Sequence, residues 1–130
     1  MSAESALLRG RKAAEKRMID ECDIHRPGET VTDQETGDVT NTTELVYSGM
    51  CEVKSNEGVA ANPEAGEATF TVVSRVVKIP MNSADIHDGD VVTLTASRLN
   101  AFTVGKKYRV SGFTPDTFDT AARLPVKEIL

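Results

Sequence analysis

The second half of the chain contains four runs rich in β-branched residues, and no other feature of the sequence constrains the fold as strongly. Glycine, proline and aspartate separate the runs, which occupy residues 69–79, 91–95, 107–113 and 124–129. Short runs of Val, Thr, Ile and Tyr bounded by such residues predict strands joined by turns. Their regular spacing predicts a mainly β fold, in which a small antiparallel sheet closes into a β-barrel or packs as a sandwich.

The first half of the chain predicts shorter strands and long polar loops. Residues 22–26 and 50–54 alternate apolar and polar side chains, which is the pattern of a half-buried strand. Residues 29–44 are polar, and Thr36-Gly37-Asp38 within them predicts the turn of an exposed hairpin or extended loop. Residues 55–68 form the longest break, which is acidic and has no cation. Loops of that length are uncommon in a compact domain unless they are functional or disordered.

Residues 1–21 predict an amphipathic N-terminal α-helix, followed by a single β-barrel domain over residues 22–130. Ser2 is a suitable N-cap, and an apolar stripe at helical spacing continues from Leu7 toward Cys22. Gly10 lowers helix stability by about 1 kcal/mol relative to alanine. One interpretation is therefore that the first turns become ordered only on contact with a partner.

Charge is distributed unevenly along the chain, whose formal net charge is −5. Residues 1–19 carry five cations and two anions, which gives +3 and leaves −8 for the remainder. A basic segment on an acidic body predicts an acidic partner for that segment. The alternative is a helix that covers one end of the barrel with its cations merely solvated. The five cations are Arg9, Arg11, Lys12, Lys16 and Arg17.

Groups of residues that could carry out chemistry are sparse. Residues 85–90 hold three carboxylates and His87, but their spacing fits neither an EF-hand loop nor a zinc site, so they predict a turn. Neither His25 nor His87 lies beside a nucleophile motif. Cys22 and Cys51 are too few for a disulfide framework and are predicted to be small buried side chains. The sequence predicts no enzymatic activity, no metal site and no cofactor.

Several short segments occur in a suggestive order along the chain. They are VKIP (residues 77–80), IHDGDVV (86–92), GKKYRV (105–110) and ARLPVKE (122–128), preceded by the basic helix, CDIHRP (22–27), TGD (36–38) and VYSGMC (46–51). Together they resemble the head-closure proteins of tailed phages, which are also called head-to-tail connector or stopper proteins. The resemblance extends over nearly the whole chain.

The resemblance implies a structural virion protein built as a small β-barrel subunit of a hexameric or dodecameric ring. The ring would close the head after DNA packaging and join the head to the tail. Its implied partners are further copies of itself, portal or adaptor proteins on the head side, and tail terminator or other tail proteins on the opposite side. Packaged DNA would pass through the channel without sequence-specific binding, and no membrane partner is implied. The implied location is the virion neck, after assembly in the host cytoplasm.

Two segments are candidate sites under this interpretation. The acidic loop that carries Glu57, Glu64 and Glu67 is a candidate channel gate, because carboxylates repel DNA phosphates and would restrain the duplex without binding it. The basic helix is a candidate docking element for an acidic neighbour in the neck. Such contacts can be weak individually and firm in a ring, since neighbouring subunits raise the effective concentration.

Two other functions are compatible with the sequence. One is a tail terminator or tail-completion protein, which would also form a ring. The other is a small β-barrel module that binds nucleic acid or a peptide. An acidic body with 5% aromatic residues and no Trp lacks the basic, aromatic-lined face expected of a nucleic-acid-binding protein.

Overall fold

The computed structural model describes residues 2–56 and 74–129, which form one helix followed by six strands. A 3-10 turn, Ala101–Thr103, lies between the fourth and fifth strands. No helix among these residues is long and apolar enough to cross a membrane. The elements are α1 (Ala3–Lys16), β1 (Asp20–Thr32), β2 (Val39–Asn56), β3 (Ser74–Ile79), β4 (Val91–Ser97), β5 (Lys107–Val110) and β6 (Ala122–Ile129).

The six strands form a closed antiparallel barrel in the spatial order β1-β2-β3-β6-β5-β4, with β4 paired back to β1. This confirms the predicted mainly β fold and selects the barrel over the sandwich. Closure gives each of the six described strands two neighbouring strands, so none of them is an edge strand of the barrel.

Alternating side chains from all six strands fill the barrel interior. Cys22 and Cys51 are both at most 1% exposed, which confirms their predicted burial. A hydrogen bond with the Cys22 thiol, together with burial, raises the pKa of the Cys51 thiol, so Cys51 stays protonated and acts as a small apolar group at neutral pH. The core consists of Cys22, Ile24, Cys51, Val77, Ile79, Ile86, Val92, Leu94, Tyr108, Val110, Leu124 and Val126.

The strands β1 and β2 extend well beyond the predicted segments, because they continue as a two-stranded ribbon after the barrel wall ends. β4 pairs with β1 only as far as His25, whereas the β1–β2 ladder continues to the pair Thr32 and Val39. A register shift beyond Ile24 leaves Val46 as an extra residue on β2. Such a β-bulge bends a strand and increases its twist, here at the point where the ribbon leaves the barrel.

The sequence predicts a helix that extends to residue 21, whereas helix α1 ends at Lys16. The Arg17 amide donates to the Ala14 carbonyl and the Met18 amide to the Glu15 carbonyl, each at 3.1 Å, which closes the last turn. From Asp20 onward the backbone pairs with β2 on one side and β4 on the other. A helix there would lose the hydrogen bonds of both ladders. The predicted N-cap is confirmed, since the Ser5 amide donates to the Ser2 hydroxyl at 3.2 Å.

Candidate assembly surfaces

The ribbon that projects from the barrel is the most exposed part of the described chain. We call residues 27–45 the arm; every residue in it whose exposure is described is exposed. The arm carries five carboxylates and no cation. Beyond the barrel wall its two strands form a ladder only with each other among residues 2–56 and 74–129. The outer edge of such a ribbon is a template for pairing or docking with another chain.

The tip of the arm is an ordered hairpin, which confirms the predicted turn at residues 36–38. Backbone bonds of 2.8 Å join the Asp33 amide to the Asp38 carbonyl, and the Gly37 amide to the Asp33 carbonyl. The Asp33 side chain accepts a further bond from the Glu35 amide at 2.9 Å. Gly37 has φ +74°, a conformation that glycine adopts without steric cost.

An ion pair between half-buried Arg26 and the buried Asp90 carboxylate joins the base of the arm to the turn before β4. The Asp90 carboxylate is 1% exposed and accepts from Arg26 Nε at 3.0 Å and Nη2 at 3.2 Å. The same guanidinium donates to the Asp85 carbonyl at 2.8 Å, and Asp90 also accepts from the His87 amide at 2.9 Å. The hydrogen bond to Asp90 raises the pKa of Arg26. A bidentate pair adds geometric specificity, so this one restricts the orientation of the base of the arm.

The acidic segment 85–90 is a turn, as predicted. One Asp88 carboxylate oxygen accepts from the amides of Gly112 and Phe113 at 3.1 Å each, which ties the turn to the segment after β5. His87 Nε2 lies 3.0 Å from the Asp85 carboxylate. In residues 2–56 and 74–129, no three His, Cys, Asp or Glu side chains are placed to hold a metal ion together.

The inner face of helix α1 packs on the loop that precedes β6. Leu7, Gly10, Arg11 and Ala14 are half-buried. A Cβ added at Gly10 would lie 2.9 Å from Thr120 Cγ2, so the glycine permits a close approach of helix and loop. Arg11 Nε donates to the Asp119 carbonyl at 3.3 Å.

The structure distributes the five predicted docking cations over different environments. Arg11 lies on the inner face of the helix, and Arg17 Nε pairs with Glu52 at 3.3 Å. Arg9 is exposed. Lys12 and Lys16 are also exposed and form no ion pair with a described residue. Lys12 and Lys16 are therefore the members of the predicted set that remain available to a partner.

The predicted gate residues Glu57, Glu64 and Glu67 lie outside the described residues. The acidic-gate assignment stays a prediction from the sequence.

An apolar tip on the β4–β5 connection is a feature that the sequence reasoning missed. We define the apolar tip as Leu99, Phe102 and Val104, which are 76%, 90% and 44% exposed. The Asn100 side chain accepts from the Phe102 amide at 3.1 Å, and its carbonyl accepts from the Thr103 hydroxyl at 2.8 Å. These bonds hold the tip in one shape, and the combination of order and exposure suits contact with another protein.

Comparisons with known proteins give a family and a fold. The model of a family of unknown function (DUF6093) matches residues 10–127. The chain is similar to the solution structure of protein SF1141 from Shigella flexneri 2a, with a TM-score of 0.58 and 17% identity over 86% of this chain and 93% of that chain. At that identity the similarity concerns the fold alone. No curated protein matches the sequence.

Proposed function

We propose that this chain, which belongs to the DUF6093 family, is a ring-forming structural protein of the tailed-phage neck that closes the filled head and joins it to the tail. The observation that carries the proposal is the arm, an ordered ribbon exposed along its described length. An isolated two-stranded hairpin is marginally stable in water. A neighbouring subunit in a ring would cover such an element and stabilise it.

The closed barrel supports the same proposal from a different direction. Each of its six described strands has two neighbours, which disfavours edge-to-edge pairing of barrels and leaves projecting features as the better candidates for assembly contacts. The arm and the apolar tip are two such features, and one subunit could use them toward different neighbours in the neck. We propose contacts to portal or adaptor proteins on one side and to tail proteins on the other.

The charge of the chain fits a channel that restrains DNA without binding it. Residues 20–130 carry a formal charge of −8. Carboxylates facing a duplex repel its phosphates, whereas cations would release counterions and bind it. In this proposal the acidic loop with Glu57, Glu64 and Glu67 faces the channel.

The proposal predicts a specific defect in phage particles that lack this gene. Electron microscopy is expected to show filled or leaking heads separated from finished tails, and expression of the wild-type chain from a plasmid is expected to restore attached particles. A second plasmid, with residues 57–66 deleted, tests the gate separately. It is expected to restore joining but not DNA retention, and full retention with this variant would remove the gate role.

Two outcomes of this experiment would contradict the head-closure role. Attached particles of normal yield without the gene would eliminate a function in the neck. Closed, filled heads beside abnormal tails would instead support the alternative of a tail-completion ring, which uses the same kind of subunit one layer further from the head.

A further inference from the structure

The arm and the outer face of helix α1 have complementary chemistry. Leu8, Lys12 and Lys16 follow one another at intervals of four residues, which places them on one face of the helix. All three are exposed, and this outer face lies away from the half-buried contacts with the loop before β6. An apolar side chain and two cations on one face suit a partner that presents both apolar groups and carboxylates.

The arm presents that combination. Val31 and Val39 are 54% and 63% exposed. Glu29 and Glu35 are exposed carboxylates that form no ion pair with a described residue. The arm contains no cation, so an approaching basic helix would meet no like charge on it.

The two surfaces are anchored at different places on the chain. The base of the arm is tied to the turn before β4 through Arg26 and Asp90. The helix is tied to the loop before β6 through Arg11 and the Asp119 carbonyl. Each surface presents the apolar and charged complement of the other, so a second copy of the chain is a partner that satisfies both.

We propose that the arm of one copy docks on the outer face of helix α1 of the next copy, with Glu29 and Glu35 directed toward Lys12 and Lys16. This inference rests on the proposed ring and identifies the contact between its subunits. A contact between two different surfaces leaves one helix and one arm unused at each step, so it repeats from copy to copy until the ring closes.

The energetics of this contact suit ring assembly. Exposed ion pairs contribute little one at a time and are screened by salt. Val31 is paired with Thr40 and Val39 with Thr32, so the two valines lie on opposite faces of the ribbon. Packing of Leu8 against the valine on the docked face adds an apolar contribution that salt does not screen. A closed ring engages every contact simultaneously, so each docking event raises the effective concentration for the next.

Charge reversal tests the contact. Three variants are compared with the wild type: Lys12→Glu with Lys16→Glu, Glu29→Lys with Glu35→Lys, and the combination of all four changes. Sedimentation velocity over a range of protein concentrations, at low salt and at physiological salt, gives the concentration of half-assembly. We expect each double reversal to raise this concentration about tenfold or more, and the fourfold variant to recover most of the loss.

A matched control distinguishes the loss of a local contact from the effect of a changed net charge. Lys54→Glu with Lys127→Glu changes the net charge by the same amount as Lys12→Glu with Lys16→Glu, but at exposed positions outside the helix. We expect this control to assemble as the wild type does. Lys12→Gln with Lys16→Gln, which keeps good helix formers, is expected to show an intermediate loss, and circular dichroism checks that every variant is folded.

The outcomes separate this inference from the proposed function. A wild-type chain that stays monomeric at every concentration at low salt would overturn the contact, and the neck role would still be decided by the gene-deletion particles. If both double-reversal variants form rings as readily as the wild type, the proposed contact is wrong, although the chain still forms a ring. Closed dimers with the same dependence on charge would support the contact and overturn the ring.

Discussion

Replacing Asp90 by alanine is expected to lower the free energy of unfolding by about 3 kcal/mol and to loosen the base of the arm. The Asp90 carboxylate is 1% exposed and accepts hydrogen bonds from two Arg26 nitrogens and the His87 amide. Alanine removes the carboxylate, so these donors lose their hydrogen bonds to it. Thermal unfolding is expected to show a midpoint lower by about 10 °C for a domain of this size.

The control for Asp90 is the neighbouring substitution Asp85→Ala. The Asp85 side chain is 86% exposed, and Arg26 uses its backbone carbonyl, which alanine retains. We expect no measurable change in the unfolding midpoint. Equal midpoints for Asp90→Ala and the wild type would mean that the Arg26–Asp90 pair does not stabilise the fold. Faster amide hydrogen exchange at residues 30–32 in Asp90→Ala would show that the pair also orders the arm.

Replacing Leu124 by alanine is expected to cost about 3 to 4 kcal/mol of stability. Leu124 is 0% exposed in the barrel core, and its Cα is paired with that of Val77 on β3. The substitution deletes the same atoms as Leu99→Ala, where the side chain is 76% exposed on the apolar tip. Urea unfolding is expected to show a large loss for the first variant and almost none for the second. Similar losses would contradict the assignment of core and tip.

The barrel could largely be predicted because local signals and the global fold agree there. In β4 and β6 the apolar residues alternate toward the interior, and glycine or proline punctuation precedes or follows the strands. The same alternation of apolar and polar residues does not predict the strands of the arm. Polar residues rich in Thr, Asp and Glu occupy both of its faces, so no period of two identifies the inner side.

The candidate surfaces depend on contacts between residues far apart in sequence. Arg26 and Asp90 are 64 positions apart, and no spacing rule connects them. The charge pattern groups Arg11 with the candidate docking cations, although its helical spacing places it between Leu7 and Ala14 on the inner face. Its aliphatic stem can pack while the guanidinium reaches a carbonyl, which a binary apolar pattern does not register. The apolar tip was missed because it follows neither a strand period nor a helix period.

The arm, the outer helix face and the apolar tip are three separate exposed surfaces of the chain. In the proposed ring, the arm and helix contact adjacent copies, which leaves the apolar tip for proteins above or below the ring. This division predicts that substitutions in the tip affect attachment to those proteins without changing the number of copies in the ring.

Cryo-electron microscopy of the neck in wild-type particles tests the central proposal most directly. The proposal predicts a closed ring of six-stranded barrels of this chain between the head and the tail, with each arm touching the adjacent subunit. A neck whose density is fully explained by other proteins, with this chain absent from the particle, would contradict it.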